Sequence, residues 1–178
     1  MRAACLGPDG SFTHRAALVL AAGCELVLME SVEAVLAALD DGSVDLAVAA
    51  YDSAAGPVEA VHEAVRTGRV EIEARHGLAV SFNLYRAPGD DAPLEGVFGH
   101  DKALGQIEAF LKAHDLKREA LASNTLGLVL MRDAPRPGWG AAGPPGLENT
   151  YPLVVTHQRL EGETPNETVF VRLARRLP

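Results

Sequence analysis

The sequence predicts an α/β fold in two lobes, and three observations carry that expectation. Short apolar runs alternate with helical stripes from Ala3 to Val65, the rhythm of a sheet flanked by helices. A second cycle of the same kind opens at Val97. Two long strand-like passages, near 76–85 and 152–160, would carry the chain out of one lobe and back again. The expected division is 1–76 with 159–178 as the first lobe and 77–158 as the second. A cleft between lobes is then the default ligand site.

Taken in order, Ala3 to Leu6 reads as the first strand, and Ala16 to Ala22 as the apolar part of the first helix. Glu25 to Met29 is a second strand. Ser31 caps a helix with Val32, Val35, Leu36 and Leu39 at i, i+3, i+4 and i+7, and Gly42 stops it. Val44 to Ala50 is almost continuously apolar, as a strand covered on both faces should be. Tyr51 to Pro57 reads as its exit, followed by a helix carrying Val58, Val61 and Val65. Arg69 to Tyr85 is strand-rich, and Pro88 to Pro93 is a surface turn. In the second cycle Val97-Phe98 is a strand and Gly99-His100-Asp101 opens a helix with Leu104, Ile107, Phe110 and Leu111. Arg118 to Ala122 reads as a strand, and Ser123 caps a short helix. Pro135 to Pro145, rich in glycine and proline around Trp139, excludes a long regular helix and reads as a loop. Pro152 to Gln158 and Thr168 to Leu173 are the last strands, on either side of a polar turn over Glu161 to Asn166.

The chain has 178 residues, enough for one domain or two small lobes, and 48% of them are apolar, so a core is within reach. A net charge of −8 argues against nucleic acid or an anionic membrane as partner. No apolar run approaches the ~20 residues of a membrane span, and Gly7-Pro8-Asp9-Gly10 interrupts any signal-peptide pattern. Cys5 and Cys24 read as two buried thiols, and the expected compartment is the cytoplasm. His14 and His100 adjoin helix starts, where a capping or solvent-facing histidine is the common case. His62, His76, His114 and His157 lack metal-ligand spacing, so no metal is expected.

Gly7-Pro8-Asp9-Gly10-Ser11-Phe12-Thr13-His14 joins the first strand to the first helix. Its glycines and proline shape a tight turn, and Ser11 is a good N-cap. Such a turn leaves N–H groups and the Ser11 and Thr13 hydroxyls at the positive end of a helix dipole, a seat for a small anion. An ordinary serine-capped turn is the plainer reading of the same residues. Thr168 read alone is a strand threonine, Tyr51 is a cleft aromatic or a strand-end residue, and Trp139 is a packing residue.

Those eight residues, followed by Ala16-Ala17, resemble the opening motif of the prephenate dehydratases, Gly-Pro-x-Gly-Thr-Phe-Thr-x-x-Ala-Ala. The family's Pro-x-Glu-Asn-Ser-x-x-Gly is similar to Ala49-Ala50-Tyr51-Asp52-Ser53-Ala54-Ala55-Gly56, and its Ser-His-Pro-x-Ala-Leu-x-Gln to Gly99-His100-Asp101-Lys102-Ala103-Leu104-Gly105-Gln106. Ala122-Ser123-Asn124-Thr125 resembles a Ser-Thr-Ala helix start, and Asn166-Glu167-Thr168-Val169-Phe170 resembles the catalytic Asn-x-Thr-Arg-Phe. The resemblance implies a two-lobed, periplasmic-binding-protein-like (type II) fold with prephenate in the cleft. It also implies a homodimer and no cofactor; the regulatory ACT domain that usually follows in the family is not expected here, since the sequence ends at Pro178. The implied reaction expels carbon dioxide and a ring hydroxide to give phenylpyruvate, on the route to L-phenylalanine. Thr168 takes the role of general acid, and Ser11, Phe12, Thr13, Tyr51, Asp52, Ser53, His100, Gln106, Ser123 and Phe170 bind substrate. The helix starts at Ser11, Ser53 and Ser123 would hold its carboxylates.

Two departures bear on activity. Asp52 replaces asparagine and sets a negative charge where an anionic substrate is expected; a like-charge pair ~4 Å apart costs about 4 kcal/mol at an effective dielectric of 20. Val169 replaces arginine and removes a carboxylate fork, with Lys102 and Arg86 as alternative cations. Two other readings stand beside the dehydratase: a prephenate decarboxylase of the same family, which does not aromatise, and a silent binding protein with the same cleft.

Overall fold

The computed structural model describes residues 1–163 and 166–176. The elements run β1 (Arg2–Leu6), α1 (Phe12–Leu20), β2 (Glu25–Met29), α2 (Val32–Asp40), β3 (Leu46–Ser53), β4 (Gly56–Pro57), α3 (Glu59–Arg66) and β5 (Val70–Ala79). They continue as β6 (Asn83–Arg86), β7 (Gly96–His100), α4 (Asp101–Gln106), α5 (Glu108–Ala113), β8 (Lys117–Leu121), α6 (Asn124–Asp133), β9 (Trp139–Gly143), β10 (Val154–His157) and β11 (Glu167–Arg175). Two compact units result: Met1–Val80 with the segment from Asn166 onward, and the described residues of 81–165. The chain leaves unit 1 only after Val80 because β5 keeps pairing with β11 as far as Ala79. Of the polar turn expected over 161–166, residues 164 and 165 lie outside the described residues.

Unit 1 is a six-stranded sheet ordered β2-β1-β3-β11-β5, with β4 folded back on β3. β1 runs parallel to β2 and β3, while β11 is antiparallel to both β3 and β5. The apolar runs of β1 and β3 are buried on both faces. Ala3, Cys5, Val48 and Phe170 pack with α1 residues Ala16, Ala17 and Leu20. Ala4, Ala47, Val171 and Leu173 pack on the other side with Val35 and Leu39 of α2 and Val61 and Ala64 of α3. Cys5 is buried, which pushes its thiol up to about 11, while Cys24 is only half-buried.

Unit 2 is a five-stranded sheet ordered β10-β6-β9-β7-β8. Here the sequence reading of 135–145 as loop needs correction. Trp139–Gly143 is a fully buried strand between β6 and β7. Its Trp-Gly-Ala-Ala-Gly composition is weak in strand propensity, so burial and close packing decide the conformation. A Cβ on Gly140 would stand 2.8 Å from Leu84 Cδ1 and 3.0 Å from the Tyr85 carbonyl oxygen. Gly140→Ala is therefore expected to cost about 1–3 kcal/mol by overpacking. Urea unfolding followed by the fluorescence of Trp139, the single tryptophan, reads this directly. Trp139 is the packing residue expected, with its ring 4.7 Å from that of Phe98.

Two further expectations change in unit 2. The single helix expected from Asp101 to Leu111 is two short helices, because the backbone leaves the helical region at Ile107 (φ −102°, ψ 15°). Arg86, one of the alternative cations, is already committed: its Nη2 donates to Asp90 Oδ2 and to the Ala92 carbonyl, both at 2.7 Å. With only 12% and 11% of the Arg86 and Asp90 side chains exposed, this ion pair is part of the unit's interior.

Candidate active site

In unit 1 three pieces of the sequence meet at one edge of the sheet. β1 and β3 are parallel neighbours, so both carboxyl ends point the same way, and antiparallel β11 begins where β3 finishes. Val169 pairs with Asp52 and Thr168 with Leu78, which places Thr168 at that edge. Strand alternation puts Thr168 on the face of Phe170, the side covered by α1, and Val169 on the face of Val171 and Leu173. Phe12, at the start of α1, packs into the same cluster as Phe170. Thr168 is 7% exposed and Thr13 8%, and neither hydroxyl has a hydrogen-bond partner among the described residues.

The serines differ in this respect. Ser11 caps α1 as expected: its Oγ accepts from the His14 N–H at 3.2 Å and donates to the Leu6 carbonyl at 3.3 Å. Gly10, at φ 78°, makes the turn that brings His14 Nδ1 within 3.1 Å of the Gly10 amide. Ser11→Ala is expected to lower stability by about 0.5–2 kcal/mol through loss of the cap, measured by thermal melting. Ser53 does not start a helix, which corrects the sequence reading. β3 runs on through Ser53 and turns back at Gly56 (φ 103°), and α3 is capped by Val58 without a side-chain bond. The Ser53 hydroxyl closes that turn, donating to the Gly56 carbonyl at 3.0 Å and accepting from the Ala55 N–H at 3.2 Å.

Tyr51 and Asp52 are turned to the face opposite Thr168. The β3–β11 register skips Tyr51, since Phe170 pairs with Ala50 and Val169 with Asp52. This bulge directs both side chains towards α3. Asp52 Oδ1 lies 2.9 Å from His62 Nε2, and the His62 ring stacks on Tyr51 at 3.8 Å between centroids, 12° from parallel. Arg75 reaches across β11 from β5, its Cζ 4.9 Å from the Tyr51 ring centre. Sequence reasoning missed His62 and Arg75 as neighbours of this edge. No local spacing could reveal Arg75, because its approach to Tyr51 exists only once β11 has inserted between β3 and β5.

In unit 2, β7 and β8 are parallel and end together, with His100 paired to Leu121. His100 caps α4, its Nδ1 accepting from the Lys102 N–H at 3.3 Å, while its own N–H donates to Asn124 Oδ1 at 2.7 Å. Ser123 caps α6, accepting from the Leu126 N–H at 3.1 Å. His100 and Ser123 thus share one sheet edge, and half-buried Gln106 stands at the far end of α4. Lys102 is exposed in the first turn of α4. No cluster of three or more metal-ligating side chains occurs among the described residues, and none of their helices is long and apolar enough to cross a membrane.

Residues 3–177 match the prephenate dehydratase family. The chain belongs to that family. A prephenate dehydratase of Lactococcus lactis subsp. lactis (strain IL1403) is 25% identical over 174 residues, 96% of this chain and 62% of the relative. The structure of the Arthrobacter aurescens prephenate dehydratase in complex with L-Phe superposes with a TM-score of 0.84 at 22% identity, over 100% of this chain and 61% of that one. The Staphylococcus aureus subsp. aureus Mu50 prephenate dehydratase gives 0.79 at 20% identity, over 99% and 68%. This chain therefore spans about two thirds of these relatives or somewhat less. A Burkholderia cenocepacia nutrient-binding protein bound to methionine also superposes, at 0.51 and 11% identity, over 98% of this chain and 84% of its own. The two α/β units are thus of the type II periplasmic-binding-protein-like kind expected.

Proposed function

We propose that this chain converts prephenate to phenylpyruvate, as a lyase of L-phenylalanine biosynthesis, with Thr168 as the general acid. The observation that carries this reading is the Thr168 hydroxyl. Residue Thr168 is 7% exposed at the carboxyl edge of unit 1 and its hydroxyl has no hydrogen-bond partner among the described residues, whereas the hydroxyls of Ser11, Ser53 and Ser123 are held by backbone groups. A donor left uncommitted is what a leaving hydroxide needs. The ring carboxylate leaves as carbon dioxide, and the electron pair of the broken C–C bond enters the ring. The C–O bond breaks on the far side of the ring, and the departing hydroxide takes the Thr168 proton to become water. Solvent returns a proton to Thr168. Aromatisation drives the step, so the protein's task is to orient the substrate and supply that proton.

Phe12 and Phe170 line the face of unit 1 that carries Thr168, an apolar backing that strengthens a dipole beside it. Thr13, Tyr51, Asp52 and Ser53 belong to the same edge of unit 1; within unit 2, His100, Gln106 and Ser123 are further substrate-binding candidates by their place in the family's motifs. The test is direct. Purified protein is incubated with prephenate and the products are identified: phenylpyruvate supports the reading, and a decarboxylated product that has not aromatised, or no product, overturns it.

A further inference from the structure

We propose that His62 is a positioning residue that holds the Asp52 carboxylate on the α3 side of the sheet, so that the edge carrying Thr168 accepts an anionic substrate. The inference rests on the prephenate reading and deepens it. Asp52 pairs across the ladder with Val169, the residue next to Thr168, so its charge belongs to the immediate surroundings of the proton donor. Left there unpaired, a carboxylate would repel each carboxylate of the substrate. Its environment is arranged otherwise. The bulge at Tyr51 turns Asp52 to the α3 side of the sheet, and His62 Nε2 meets Oδ1 at 2.9 Å. A carboxylate only accepts, so Nε2 is the nitrogen that carries the proton in this contact.

His62 is itself held in place. Its ring lies flat on Tyr51, and the Arg75 guanidinium sits over the same tyrosine. The guanidinium has no carboxylate partner among the described residues, unlike those of Arg66, Arg69 and Arg172, which pair with Glu63, Asp40 and Glu73. Arg75, Tyr51, His62 and Asp52 thus form one stacked chain that ends on a single carboxylate. Unmaking the histidine link leaves Asp52, already half exposed, free to swing.

The experiment is a double-mutant cycle on steady-state turnover of prephenate by wild type, Asp52→Asn, His62→Phe and the double variant. His62→Phe keeps a ring on Tyr51 and removes the hydrogen bond to Asp52. It is expected to raise KM about tenfold, the scale of a carboxylate freed to approach an anionic substrate, with kcat unchanged. In the Asp52→Asn background the further change His62→Phe is expected to alter KM by less than about twofold, so that the double variant matches Asp52→Asn rather than His62→Phe. A purely structural role for His62 does not give that rescue, because removing a charge from Asp52 repairs no packing. His62→Gln, with thermal melting of every variant, separates misfolding from weakened binding. A KM for both His62 variants within about twofold of wild type overturns the inference, as does a double variant as impaired as His62→Phe. A wild-type chain that makes no phenylpyruvate overturns the functional reading and this inference with it.

Discussion

Thr168→Val is expected to lower kcat by about 10²–10⁴-fold, the usual contribution of a positioned general acid, and to change KM little. Valine is the informative replacement because it keeps the branched shape that suits β11 and removes only the hydroxyl. That hydroxyl has no hydrogen-bond partner among the described residues, so its removal strands none of them, and stability should hold or rise slightly. Thr168→Ser restores a donor at the same position and is expected to recover most of the rate. Steady-state kinetics with prephenate, alongside melting curves, measure both halves of the expectation. A valine variant as fast as wild type removes Thr168 from the mechanism.

The largest expected effect on stability lies elsewhere, at Asp90. Its carboxylate accepts from Arg86 Nη2 at 2.7 Å, from the Ala92 N–H at 3.2 Å and from the Gly138 N–H at 3.1 Å, tying the loop after β6 to the entry of β9. Asp90→Ala leaves the Arg86 guanidinium buried without its counter-charge, and Arg86 Nε already lacks a partner among the described residues. Breaking one side of such a pair costs about 3–5 kcal/mol, to be read as a fall in the urea midpoint of Trp139 fluorescence. The pH dependence has a definite sign. Burial alone would raise the Asp90 carboxyl, but the hydrogen bonds from Arg86, Ala92 and Gly138 outweigh it and hold the group below its ordinary value. The folded chain therefore binds this proton less readily than the unfolded one. The contribution is fully present above the unfolded carboxyl value of about 3.9 and fades as acid takes pH down through the folded value. The gap between wild type and Asp90→Ala should accordingly narrow below about pH 4.

Much of the fold was legible in the sequence because its strongest signals are local. Ser11, Ser31 and Ser123 each cap the helix that follows, as their side chains allow, and the apolar stripes of α1, α2 and α3 face the core. β9 was not legible. A strand of glycine and alanine gains nothing from propensity and exists because β6 and β7 offer it hydrogen bonds on both sides. Arg86 illustrates the same limit for charge: its sequence neighbours show a basic residue after a strand, and only the folded loop supplies Asp90.

The candidate site divides along the same line. The opening motif, the family's reaction and the choice of Thr168 come from residue identities in order along the chain, which folding does not alter. Whether each hydroxyl is available, and where Asp52 points, depends on contacts between residues far apart in sequence. Thr168 is left uncommitted while Ser53 is spent on a turn, and the bulge at Tyr51 sends Asp52 to His62 and away from the face of Thr168. Those outcomes follow from sheet register, and register is settled by the burial of whole strand faces rather than by any local run of residues. The sequence by itself determined which groups are candidates for the chemistry; the tertiary structure decided which of their hydroxyls are left uncommitted.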